Sequence, residues 1–142
     1  MSSPASNFRF FAICPRGLEA LLADELRALG AASVTPEPGG AAFRGTLATA
    51  YAANLHSRLA SRVLWEVGHA PYASEDDVYA AAAAVRWEDH FGAQQLLRVD
   101  VTATRSPLRS LEFATLRIKD AIVDRLRAKT GARPSIDRAR PD

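Results

Sequence analysis

Phe8 to Ile13 is an aromatic and branched apolar run that Pro15 and Gly17 bring to a stop, which predicts a strand followed by a turn. The period then changes to that of a helix. Leu18, Leu21, Leu22, Leu26 and Leu29 fall on one face, Glu19, Asp24 and Glu25 lie elsewhere, and Gly30 stands where a helix C-terminus is capped. Residues 33–37 and 41–44 flank Pro38-Gly39-Gly40 and predict a hairpin whose glycines supply the turn. Thr46 to Leu55 predicts an alanine-rich helix with Leu47, Tyr51 and Leu55 along one stripe. Arg62 to His69 alternates, with Val63, Trp65 and Val67 facing one way, and predicts a strand.

A second pattern starts at Ser74, placed to cap a helix with Asp77 three residues on and with Asp76 and Asp77 at its positive end. Leu96 to Thr104 alternates, Leu97, Val99, Val101 and Ala103 against Arg98, Asp100 and Thr102, and predicts a half-buried strand. After Pro107 a long helix is predicted from Ser110 to about Lys129, stopped by Gly131. Its inner stripe is Ala114, Ile118, Ala121, Ile122 and Leu126; Arg117, Asp120, Asp124 and Arg127 face outward.

The first six elements run strand, helix, strand, strand, helix, strand. That is the ferredoxin-like order of two split βαβ units, an antiparallel sheet with both helices on one face, and it serves too many functions to name one. The predicted class is α+β: a ferredoxin-like domain over 1–70, then a second domain over 71–142 whose one helix, one strand and second helix leave its sheet unfinished.

Composition narrows the setting. In 142 residues no stretch approaches the roughly 20 apolar residues that cross a bilayer, and Met1-Ser-Ser-Pro-Ala-Ser lacks the pattern of a signal peptide, so the expected address is the cytoplasm, with no membrane partner. Cys14 is the only cysteine, and it reads as a small buried residue at a strand end rather than a reactive thiol. His56, His69 and His90 are scattered and no metal site is expected. Glu75-Asp76-Asp77 is explained by a capped helix start.

The net charge of +2 conceals a segregation. Up to Thr104 there are 8 Lys and Arg against 11 Asp and Glu; from Arg105 onward there are 10 against 5. Clustered cations of this kind suit a polyanion, because phosphate binding depends on where Lys and Arg gather rather than on total charge.

Three segments resemble a known family. Lys119-Asp-Ala-Ile-Val-Asp124 and Arg133-Pro-Ser-Ile-Asp137 through Pro141-Asp142 resemble the THUMP domain of bacterial methyltransferases that modify guanine N2 in large-subunit (23S) ribosomal RNA, and Arg16-Gly-Leu-Glu-Ala-Leu-Leu22 resembles the opening helix of the same enzymes. The resemblance implies that 71–142 is the N-terminal part of a THUMP domain, that further strands and a C-terminal methyltransferase domain lie beyond it, and that the two domains together grip structured, ribosomal RNA. It implies S-adenosylmethionine as cofactor of that other domain and none in this segment. These residues contain no Gly-rich turn after a strand and no Asn or Asp before Pro-Pro, so no catalytic residue is expected here.

RNA contacts are expected from guanidinium and ammonium groups that reach phosphate oxygens. The candidates are Arg105, Arg109, Arg117, Lys119, Arg133 and Arg138, with Arg140 beside them; Arg109 and Lys119 match the family pattern, while Glu112 is a departure that reduces local attraction for phosphate. Lys119 has a second reading, an ion pair with Asp120. Arg58 and Arg62 divide equally between packing and RNA contact. Phe8, Phe10 and Phe11 read as core rather than as a stacking platform. The alternatives to a methyltransferase front end are a stand-alone RNA-binding adaptor and a ferredoxin-like domain that binds a small ligand or oligomerises.

Overall fold

A computed structural model describes residues 7–141; the Met1–Ser6 segment read above and Asp142 of the closing Pro-Asp lie outside them. The chain divides into two compact units, Met1–Val67 and Gly68–Asp142.

Unit 1 contains β1 (Phe8–Ile13), α1 (Glu19–Ala28), β2 (Ala32–Glu37), β3 (Gly40–Gly45), α2 (Leu47–His56) and β4 (Arg62–Glu66). The strands form one antiparallel sheet in the order β2-β3-β1-β4. This is the ferredoxin-like topology that the element order predicts. The register sets Phe10 opposite Phe43 and Trp65, and Ala12 opposite Ala41 and Val63, so one face of the sheet carries the core. Leu22, Ala23 and Leu26 of α1 and Ala50 and Ala53 of α2 close over it. Leu22 and Leu26 are fully buried, each contributing about 1.5–3 kcal/mol.

Two helix stripes differ from expectation. Leu21 is 58% exposed and lies off the buried face of α1. In α2 the expected stripe is the solvent face, since Tyr51 and Leu55 are 69% and 77% exposed while the alanines turn inward. Small residues let α2 approach the sheet, and Gly45 permits the sharp β3–α2 turn: a Cβ there would sit 2.6 Å from Thr49 Cβ. Thr46 and Thr49 then cap the helix reciprocally. The fourth strand also stops at Glu66, short of His69.

Side-chain carboxylates tether the loops of unit 1. Glu25 accepts from Ser57 Oγ at 2.6 Å and from the Arg58 N–H at 2.7 Å. Burial pushes the Glu25 carboxyl up, but the Arg58 N–H and Ser57 hydroxyl outweigh it and hold it below the usual range. Glu19 accepts from the N–H groups of Gly17 and Gly39. Cys14 is buried, and burial, then the nearby Glu19 charge, pushes its thiol up, so it stays a protonated packing group.

Unit 2 contains α3 (Glu75–Ala84), a 3₁₀ turn (Trp87–Asp89) and α4 (Leu111–Thr130). Ser74 Oγ accepts from the Asp77 N–H, and the Asp77 carboxylate accepts from Ala73 and Ser74 N–H, the expected capping box. Ser110 caps α4, and Gly131 ends it with φ 75°. The buried residues of α4 are Ala114, Ala121, Ile122, Val123 and Leu126, with Ile118 half-buried; Val123 adds to the expected stripe.

The predicted strand over 96–104 is not formed. Only Leu97 pairs, in a single parallel bridge to Ile136: its N–H donates to Ser135 O, and the Asp137 N–H donates to Leu97 O. Val99 and Val101 are half-buried in alternation with exposed Asp100 and Thr102, yet they have no ladder partner. Alternation records which side chains turn inward; a strand additionally needs a neighbouring backbone.

Candidate nucleic-acid interface

The loop before α4 presents the first two candidates. Arg105 and Arg109 are exposed, and Arg105 takes a left-handed backbone, φ 52°, uncommon for a bulky residue. The adjacent Ser106 fixes the loop, its Oγ accepting from the Leu108 N–H at 3.2 Å and hydrogen-bonding Tyr72 Oη at 3.1 Å. Arg105 and Arg109 are thus held beside the positive end of α4, which favours anions, although Glu112 in the first turn offsets part of that field.

Arg117 has another task. Its Nη2 lies 3.0 Å from Asp76 Oδ1, and its guanidinium stacks 4.3 Å above the Tyr79 ring. Tyr79 Oη in turn donates to Asp124 at 2.7 Å. These contacts join α3 to α4 and commit Nη2 and the face of the guanidinium to partners within the unit. Arg125, which the sequence reading did not single out, is committed more fully. It meets Glu88 through Nε and Nη2, both at 2.8 Å, and donates from Nη1 to Ala83 O at 2.9 Å. The paired Arg125 bonds hold the Glu88 carboxyl at about 2. Glu88 and Arg125 are 37 residues apart, so no local spacing announces them.

The remaining candidates have no internal ion pair among the described residues. Lys119 is half-buried on α4 and does not form the ion pair with Asp120 that was its second reading; Arg133 is exposed beyond Gly131. At about 1.5 Å per residue, the 20 residues of α4 separate Arg109 from Arg133 by about 30 Å, too far for one phosphate. The chain then returns, and the Leu97–Ile136 bridge brings Arg138 beside Arg98. Arg98 donates to Arg138 O at 3.3 Å and pairs with Asp100 at 3.0 Å. Arg98 and Arg138 share the lining of a 430 Å³ cavity with Asp100, Glu112 and Thr115. Arg98 was legible only as an outward residue of the alternating segment.

The strand-to-helix turn of unit 1 does not fit S-adenosylmethionine. It has a single glycine, Gly17, and its nearest carboxylate, Glu19, is already bonded to two backbone N–H groups. Among the described residues no group of three or more His, Cys, Asp or Glu is placed to hold a metal, and no helix is long and apolar enough to cross a membrane.

The family model described as the THUMP domain matches residues 72–142, and the one described as the RlmL ferredoxin-like domain matches 9–64. The chain belongs to the THUMP family. The THUMP match holds Arg105, Arg109, Arg117, Lys119, Arg133 and Arg138, and the ferredoxin-like match covers most of the four-stranded sheet. A relative in Syntrophotalea carbinolica, "Ribosomal RNA large subunit methyltransferase K/L", is 52% identical over 94% of this chain and 19% of its own length. The protein of the same name from Aeromonas salmonicida is 43% identical over 94% and 18%. The chain thus spans about a fifth of the length of these curated relatives. Among solved structures, a candidate methyltransferase complexed with SAH superposes with a TM-score of 0.81 at 26% identity, covering 91% of this THUMP chain and 36% of that one. A predicted N6-adenine-specific DNA methylase from Listeria monocytogenes gives 0.79 at 30%, covering 87% and 32%.

Proposed function

We propose that this THUMP chain grips structured ribosomal RNA for a methyltransferase domain on the same polypeptide, and that it contributes no catalytic group. The observation that carries this reading is the division of cations in unit 2: Arg117 and Arg125 are bound to internal carboxylates, while Arg105, Arg109, Lys119 and Arg133 keep no internal ion pair among the described residues. Long cationic side chains left free around a capped helix suit phosphate oxygens, and guanidinium groups bind them with paired donors. Arg138, beside Arg98 in the shared cavity, extends the contact toward the returning segment. Recognition is by shape and phosphate spacing, the mode by which proteins mostly bind structured RNA.

Domains over 1–70 and 71–142 serve this role, the first supporting the second. Relatives named as ribosomal RNA methyltransferases and about five times as long support a front-end role over a stand-alone adaptor. Guanine N2 is the proposed target atom, S-adenosylmethionine the cofactor of the catalytic domain, and the cytoplasm the compartment; the neighbour complexed with SAH supports the cofactor.

Fluorescence anisotropy with a large-subunit RNA hairpin tests the reading. Four phosphate contacts give a slope of log K against log salt of roughly −3, from about −0.7 to −0.9 each. A slope near zero contradicts it.

A further inference from the structure

In unit 1, both helices contact one face of the sheet, leaving Arg9, Phe11 and Ile13 of β1 on the other. The sequence reads Phe11 as core with Phe8 and Phe10, but the register separates them. Phe10 faces the helices, whereas Phe11 is half-buried on the helix-free face, level with Ala42 and Leu64. Its ring lies along the sheet beside Gly40: a Cβ there would collide with the Ala12 carbonyl oxygen and come 2.7 Å from Phe11 Cε1, so glycine leaves room for both the backbone and the ring.

The row beside Phe11 is charged. Arg9 is directly opposite Arg44 on one side and Glu66 on the other. Two like charges on paired positions of adjacent strands repel. Glu66 neutralises Arg9 through a 3.2 Å ion pair, and the exposed Arg44 has no such partner among the described residues. Arg9, Phe11, Thr35, Glu37, Arg44 and Glu66 border a depression of 290 Å³. That lies just below the range of small-ligand sites, about 300–1,000 Å³, and suits one nucleotide rather than a duplex. Glu37 and Glu66 oppose a backbone running across the whole sheet, which restricts the anion to the Arg44 side.

We infer that the helix-free face of the ferredoxin-like sheet binds one unpaired RNA nucleotide, the base stacked on Phe11 and the phosphate at Arg44 and Arg9. This rests on the RNA-gripping reading and assigns it a second, single-strand contact in a different unit from the loop cations. Base–aromatic stacking tolerates any base, because every base has a π-face, and acts together with cations that hold the backbone.

The test uses the whole protein and two probes: an oligouridylate of about ten nucleotides bearing 4-thiouridine, and a blunt RNA hairpin. Phe11→Leu keeps apolar cover over Gly40, and Arg44→Gln alters an exposed side chain. The inference expects oligouridylate binding about tenfold weaker in Phe11→Leu and several-fold weaker in Arg44→Gln, hairpin binding unchanged in both, and photo-cross-links in the tryptic peptide Phe10–Arg16. Hairpin binding without oligouridylate binding, or cross-links confined to other peptides, overturns the inference and leaves the loop-cation reading standing. Failure of the wild type to bind either probe overturns both. Loss of both probes in Phe11→Leu, with Arg44→Gln unchanged, marks a folding defect and also rejects the inference.

Discussion

Unit 1 and unit 2 are similar in length and are held together by different means. Unit 1 rests on a backbone ladder of four strands and a continuous apolar core from β1, β3, α1 and α2. Among its described residues, unit 2 has one isolated bridge, Leu97 to Ile136, its buried side chains come mainly from α4, and side-chain bonds hold α3 and the 3₁₀ turn to that helix. Cations in a unit of the second kind divide between fastening the fold and facing solvent, and only the second group is available to a ligand.

The largest effect expected from this contrast is in unit 1. Phe43→Ala removes a ring stacked 5.3 Å from Phe10 and should cost about 3–5 kcal/mol in urea unfolding. A cost below 1 kcal/mol would mean that the stacked pair is not the centre of that core.

In unit 2 the corresponding change is electrostatic. Glu88→Gln should lower the thermal midpoint of the transition followed by Trp87 and remove an acid dependence. With the folded carboxyl at about 2 and the unfolded one near 4.5, the Glu88 contribution is present above about 4.5 and is lost as the pH falls toward 2. The wild-type midpoint should therefore fall over that window more steeply than the variant's. Parallel curves would remove Glu88 from the account.

A smaller loss, about 1 kcal/mol, is expected for Ser74→Ala, which deletes one half of the α3 capping box, while Ser74→Thr should retain most of it. Thr46→Ala in unit 1 gives a matched comparison: the same lesion should weaken α2 less, because its alanine face is anchored on a sheet.

How far each unit was legible follows the same division. The strands of unit 1, the Ser74 cap and the Gly131 stop follow from local periods and from residues with special backbone preferences, and each is present. The α2 stripe was misassigned because Leu47, Tyr51 and Leu55 are the larger apolar residues, yet alanine is what permits close approach to the sheet. The segment 96–104 alternates like a strand, but pairing depends on a partner backbone that periodicity does not reveal. In the candidate interface, the charge excess after Arg105 was visible in composition. The separation of Arg117 from Arg109 was not, because it depends on Asp76 and Tyr79, about forty residues earlier in the chain. Phe11 shows the same limit: three phenylalanines in four residues look alike until register divides them between two faces.

On the proposed reading, free loop cations, and not the clamped ones, bind RNA phosphate. The direct measurement is the salt dependence of hairpin binding for Arg109→Ala and Arg117→Ala, each compared with wild type well below its melting temperature. Arg109→Ala should flatten the slope by about 0.7–0.9, while Arg117→Ala should lower stability and leave the slope unchanged. Equal flattening by the two variants, or flattening by Arg117→Ala alone, would contradict the account.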